Sequence, residues 1–169
     1  AHFAREHPAG QLPRDQIEAA ARWALSFIDE PQGEENPFQV QHDLQETMQN
    51  LVGIVRREEE MLRALDEIAR LRERHRRIRV VGNREYNPGW HTAMDLHNLL
   101  IVAEAITRSA IERKESRGAQ FREDYPSKRE EFGKVNIVVR KGPDGTMQVR
   151  REPIPEMPDY LKRIIEANR

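Results

Sequence analysis

Tyr86 to Pro126 reads YNPGWHTAMDLHNLLIVAEAITRSAIERKESRGAQFREDYP, and the reading of this stretch decides the fold. Asn87-Pro88 favours a turn followed by a helix start, and after this opening no Pro or Gly recurs until Gly118. The spacing predicts one long helix, closed by Gly118 in a left-handed conformation. Leu96, Leu99, Val102, Ala103, Ile106 and Ala110 fall on one broad face, while Met94, Ile101 and Ala105 fall on the other side. Between them runs a polar stripe of His97, Glu104, Arg108 and Glu115, with Glu104 spaced to pair with Arg108. A helix that is apolar nearly all round is normally buried on both sides. The rest of the chain should therefore cover one flank and another body the second.

Upstream, residues 1–12 read as the end of a preceding helix and a Pro8-Ala9-Gly10 break. Pro13 suits a first helical position, and Ile17, Ala20, Ala21, Ala24, Phe27 and Ile28 recur at helical spacing up to Pro31-Gln32-Gly33, with Trp23 packing near that face. Asn36-Pro37 is a cap and start signal for a stripe of Val40, Leu44, Met48, Leu51 and Val55. That helix should cross Gly53, at a cost of about 1 kcal/mol relative to Ala, or bend there. The charge run Arg56 to Glu60 opens the next helix, whose buried face is expected to be Met61, Leu62, Leu65, Ile68, Ala69 and Leu71. Its basic end, Arg70 to Arg79, complements a helix C-terminus and reads as solvated.

Downstream of Pro126 the period changes to two. Val135, Ile137 and Val139 alternate with Asn136, Val138 and Arg140, Lys141 to Gly145 is a turn, and Met147, Val149 and Arg151 continue the alternation. Pro153, Pro155 and Pro158 break the strand before a short closing helix within Asp159 to Ala167. The expected fold is mainly α: an antiparallel bundle of three to four helices with a small C-terminal β-hairpin and that closing helix. A lone hairpin is marginal, so residues 127–169 should pack on the bundle formed by residues 13–126.

Bulk properties narrow the function. Charged residues are 34% of the 169-residue chain, yet the formal net charge is only −1 and the signs are interspersed. No global field favours nucleic acid or an anionic membrane. The absence of cysteine excludes disulfides, cysteine-ligated iron–sulfur clusters and a thiol nucleophile within these residues. The longest apolar run, Leu99 to Ala103, is far short of the roughly 20 residues that span a bilayer. The start at Ala1 rather than Met suggests a fragment.

The nine glycines form no G-x-G-x-x-G or Walker pattern, so no phosphate-cradling loop is present and no cofactor is expected on this chain. His91 and His97, six residues apart, lie on different sides of a helix, and His2, His7, His42 and His75 have no ligand spacing, so no metal site is expected. Glu58-Glu59-Glu60 and Glu130-Glu131 read as solvated helix starts and loops rather than acid/base pairs. No catalytic residue is expected.

The loop from Glu115 to Asp124 is different, because it gathers Arg117, Arg122, Glu123 and Asp124 around Gly118. Its arginines suit either a clasp on carboxylates and carbonyls of a neighbouring domain or an internal brace against the bundle. Its sequence, Glu115-Ser116-Arg117-Gly118-Ala119-Gln120-Phe121-Arg122-Glu123-Asp124-Tyr125-Pro126, resembles the ESRGAH-x-R-x-D-x-P signature in the C-terminal helical domain of succinate dehydrogenase and fumarate reductase flavoproteins. Asn87-Pro88-Gly89-Trp90, Asp95-Leu96-His97-Asn98-Leu99-Leu100 and Arg113-Lys114 are also similar to that family, especially to its actinobacterial-type succinate dehydrogenases. The resemblance runs from about Asn36 to Glu156. Gln120 stands where the family usually has His, which removes a titratable group.

The resemblance implies a full-length subunit that binds FAD and interconverts succinate and fumarate, passing electrons to an iron–sulfur subunit at the inner face of a membrane. Residues 1–12 would be the tail of the flavin-binding domain, and this chain would support and dock the catalytic part while being inactive alone. It favours the clasp, with Arg117, Gly118, Gln120, Arg122 and Asp124 as inter-domain contact residues. The fragment would be free to self-associate through its exposed apolar flank. The corresponding domain of an L-aspartate oxidase and a free-standing helical interaction module are the alternative readings.

Overall fold

Asn36 and Asn87 each start a helix in the same way. The Asn36 side-chain carbonyl accepts the Phe38 N–H at 2.9 Å, and the Asn87 side-chain carbonyl accepts the Trp90 N–H at 3.2 Å, so each Asn-Pro pair caps a helix that begins at its proline. The computed structural model describes residues 2–7, 10–29 and 31–168. The expected break at Pro8-Ala9 lies outside them. In chain order the elements are α1 (His2–Glu6), α2 (Arg14–Asp29), α3 (Pro37–Leu51), β1 (Val55–Arg56), α4 (Glu58–His75), α5 (Pro88–Glu112) and β2 (Phe121–Arg122). A 3-10 turn (Glu131–Lys134), β3 (Val135–Lys141), β4 (Met147–Pro153) and α6 (Asp159–Ala167) follow. The mainly α architecture with a C-terminal hairpin and a short closing helix matches the expectation.

Two compact units divide the chain, one from residues 1–45 and 69–100, the other from residues 46–68 and 101–169. In the first unit, Phe27, Val40, Leu44, Leu71, Ile78, Val80, Ala93, Leu96 and Leu100 are buried. Backbone bonds lock its loops: the Glu35 N–H donates to the Arg77 carbonyl and the Arg79 N–H to the Glu35 carbonyl, both at 3.0 Å. A Cβ on Gly33 would lie 2.7 Å from the Arg77 carbonyl oxygen, so only glycine permits this approach. The α2 stripe departs from expectation. Phe27 is buried, but Ile17, Ala20 and Ala21 are exposed, because the chain supplies neighbours only to the last turns of that helix.

In the second unit Val52, Met61, Ala64, Ile68, Ala103, Thr107, Ala110 and Phe132 are buried. On α4 the buried positions are Met61, Ala64, Ile68, Leu71 and His75, while Leu62 and Ala69 are exposed, which turns the face by one position from the one expected. α3 does not cross Gly53. It stops at Leu51, and Val55 is an exposed strand residue rather than a continuation of the stripe. β1 pairs in parallel with β2, Val55 opposite Phe121 and Arg56 opposite Arg122. The hairpin pairs Val135 with Pro153 through Lys141 with Met147, around a turn in which Gly145 has φ of +82°.

α5 also ends earlier than its sequence implied. Its last residue is Glu112, and its buried stripe is Ala93, Leu96, Leu100, Ala103, Thr107 and Ala110. Leu99, Val102 and Ile106, expected on that same face, are exposed, as is Ile101. The expected pair of Arg108 with Glu104 is present at 2.7 Å. Glu115 is not part of the polar stripe, since it lies beyond the helix in the loop.

Candidate functional site

The loop after α5 is built on two buried ion-pair centres. The first is Glu115, whose side chain has no exposed surface. Its carboxylate accepts from Arg113 Nη1 at 2.7 Å, Arg117 Nε at 2.7 Å, Arg117 Nη2 at 3.1 Å and the Arg129 backbone N–H at 2.8 Å. Burial alone would push this carboxyl up. The donors from Arg117, Arg129 and Arg113 outweigh it and hold the group down at about 2.

The second centre is Arg122, also without exposed side-chain surface. Nε and Nη2 donate to the two oxygens of Asp124, both at 2.7 Å, and Nη2 also reaches Glu58 at 3.2 Å. Nη1 donates to the Ala110 carbonyl at 2.7 Å, and the guanidinium lies 5.0 Å from the centroid of the Tyr125 ring. Arg122 thus occupies the carbonyl end of α5, which is why the helix stops at Glu112 and not near Gly118. The Arg122 hydrogen bonds depress the Asp124 pKa, and Asp124 in turn accepts the Glu58 N–H at 3.0 Å at the start of α4.

Ser116 Oγ accepts the Arg122 N–H at 2.9 Å and donates to the Tyr125 carbonyl at 2.9 Å, fixing the chain between the two centres. Gly118, with φ of +62°, makes the tight turn in which Arg117 and Gln120 exchange backbone hydrogen bonds of 3.0 and 3.2 Å. Gln120 replaces a titratable group with an amide that works in both directions. Its Nε2 donates to the Arg113 carbonyl at 3.0 Å, and its Oε1 accepts from Arg56 Nη1 at 2.9 Å.

All five residues expected at an inter-domain contact therefore come together here. Arg122 and Asp124 are spent on internal partners, Gln120 is half-buried, and the Arg117–Gly118 edge faces outward. Glu115 and Asp124 are poorly suited to act as a general base at neutral pH, because guanidinium donors hold both below the usual carboxylate range. Among the described glycines those with positive φ, Gly82, Gly118 and Gly145, sit in three separate turns and form no run of N–H groups for a diphosphate.

Two features escaped the sequence reading. His75 and His97, read as unrelated, approach with ring centroids 6.1 Å apart in the first unit, beside Trp23 and Phe27. The Ala93 carbonyl, 2.8 Å from His75 Nε2, fixes the ring, and burial depresses its pKa. A signal existed: His75 extends the Ile68–Leu71 spacing on α4. The second is Arg56, hidden in a charge run and placed against Gln120 by the β1–β2 ladder.

Comparison with known proteins agrees with this geometry. The family described as fumarate reductase flavoprotein C-term matches residues 41–160. The fumarate reductase flavoprotein subunit of Haemophilus influenzae is 39% identical over 60% of this chain and 17% of its own length. An L-aspartate oxidase of Streptomyces coelicolor is 29% identical over 94% of this chain and 27% of its own. The structure of Mycobacterium smegmatis Sdh1 in complex with UQ1 superposes with a TM-score of 0.87 at 34% identity, covering 96% of this chain and 28% of that one. The chain spans between 17% and 27% of the length of these curated relatives. It belongs to the fumarate reductase flavoprotein C-terminal family, the helical domain of succinate dehydrogenase and fumarate reductase flavoprotein subunits.

Proposed function

We propose that this domain supports and docks the FAD-containing part of a subunit that interconverts succinate and fumarate. In this reading residues 1–12 are the tail of the flavin-binding domain, residues 13–126 are the helical support, and residues 127–169 pack on it. The chemistry belongs to the rest of the subunit, which binds FAD and hands electrons to an iron–sulfur partner at the inner face of a membrane. The observation that carries the reading is the loop itself. Arg122, Asp124, Ser116 and Gln120 are committed to holding a turn whose outward edge is Arg117 and Gly118. A rigid, internally paired scaffold under a half-exposed guanidinium that is itself braced on Glu115 suits a preorganised contact, because little side-chain freedom is left to lose on docking.

The test compares Arg117→Ala in the full-length subunit and in this chain. Docking predicts a larger loss in the full-length protein, by roughly 1–2 kcal/mol, since a charge-assisted bond is worth more when shielded from water. Equal losses in the two would return Arg117 to a purely internal role. The likeness to an L-aspartate oxidase supports a second reading, and flavin reduction of the full-length subunit by succinate or by L-aspartate separates the two.

A further inference from the structure

Arg56 and Arg122 are register partners in the parallel β1–β2 ladder, which brings two like charges near enough to act on one another. Like charges in that position repel. Arg122 is neutralised by Asp124 and Glu58. Arg56 is not. It is half-buried, its Nε donates to the carbonyls of Gly53 and Val52 at 2.6 and 3.2 Å, and its Nη1 donates to Gln120 Oε1 at 2.9 Å. All three acceptors are neutral. Among the described residues Arg56 has no carboxylate partner, and its Nη2 makes no hydrogen bond. Burial and the charge of Arg122 both push its pKa down, so the cation is held against an unfavourable field.

Arg56 also lines an open hollow of about 380 Å³ on the surface of the second unit. Arg113 and Ser109 join Arg56 on its polar side, Ala105, Ile106 and Ile137 form apolar wall, and no carboxylate lines it. The Ser109 hydroxyl has no hydrogen-bond partner among the described residues. Gln120 cannot answer the charge, because its amide is neutral and offers Arg56 only the Oε1 that Nη1 already reaches.

We propose that this hollow is a carboxylate-binding site, with Nη2 of Arg56 and the Ser109 hydroxyl taking the two oxygens and a short apolar stem lying against Ile106 and Ile137. A free small acid and the side chain of a glutamate on a polypeptide segment carry the same chemistry. The proposal stands on the residues of this chain and does not depend on the docking reading above. Its success or failure is measured on the chain alone.

The test titrates the nitrogen-labelled chain with sodium propionate while following the Arg56 Nε resonance. Propionamide serves as the neutral isostere, sodium chloride as the ionic control, and a blocked Gly-Glu-Gly peptide as the second source of carboxylate. The expected result is a saturable millimolar response to propionate that propionamide and chloride do not reproduce. Tighter binding of propionate than of the peptide assigns the site to a free acid, and the reverse assigns it to a protein side chain. Arg56→Gln should weaken binding by at least about ten-fold. Because Arg56 also braces the Val52 and Gly53 carbonyls, Ala105→Glu is compared with Ala105→Gln as an independent check. The built-in carboxylate should give the higher Tm and abolish the propionate response. A response that does not saturate, an equal response to propionamide, or an Ala105→Glu chain that melts below Ala105→Gln and still binds propionate would overturn the proposal.

Discussion

Arg122 and Asp124, two residues apart in sequence, form a two-bond ion pair with both contacts at 2.7 Å, and the pair ties two helix ends together. Asp124 accepts the Glu58 N–H at the start of α4, and Arg122 donates to the Ala110 carbonyl at the end of α5. Each charge sits at the helix end whose dipole favours it. Breaking a buried pair by removing one partner leaves an uncompensated charge. Arg122→Ala should therefore destabilise this chain by about 3–5 kcal/mol in urea unfolding. Arg122→Lys should recover only part of that, because one ammonium cannot serve the carboxylate bidentately and cap the helix as well.

Glu115 should leave a mark on the acid limb of the stability curve. Its carboxyl ordinarily titrates at 4.5 and is held at about 2 in the folded chain. The folded state thus binds fewer protons than the unfolded one. The contribution is fully present above the ordinary value and is lost as pH falls toward 2, for a total of roughly 3 kcal/mol. Urea midpoints measured from about pH 6 to about pH 3 should fall steeply for the native chain and less for Glu115→Gln, which should already be less stable near neutrality.

Gly118 isolates backbone strain from packing. A Cβ there would meet nothing within 4 Å, so space is not the obstacle, but φ is +62°. Gly118→Ala should cost about 1–2 kcal/mol and Gly118→Asn less, since Asn tolerates the left-handed region better. Equal stability of Gly118→Ala and the parent in thermal unfolding would show that the turn relaxes.

α5 offers a contrast between two of its apolar positions. Leu96 is fully buried, whereas Val102 is 53% exposed. Leu96→Ala should cost about 2–5 kcal/mol. Val102→Glu should change stability by no more than about 0.5 kcal/mol while reducing self-association in sedimentation equilibrium, because it removes apolar surface left exposed among the described residues. Unchanged association would place the self-contact elsewhere.

The sequence by itself determined the helix starts, the hairpin and the family. Asn36-Pro37 and Asn87-Pro88 encode their caps locally, period-two alternation marks Val135 to Arg140, and the Glu115 to Pro126 signature carries the relationship. These signals depend on the residues within a few positions, so no distant contact is needed to read them. Where α5 ends was different. Gly118 offered a plausible local stop, but the guanidinium of Arg122 takes the Ala110 carbonyl from twelve residues further along the chain and ends the helix at Glu112. Which stripe of α2 and α5 is covered was likewise beyond periodicity, because amphipathic spacing names a face without saying what lies against it. Ile17 and Val102 are helical apolar residues left exposed for that reason. The isolation of Arg56 is the furthest from the sequence. It looks like one charge in a run of five, and only the β1–β2 pairing sets it against Arg122 and gives both available carboxylates to the other arginine. Charge compensation is decided by three-dimensional distance, and that is fixed only when the chain folds.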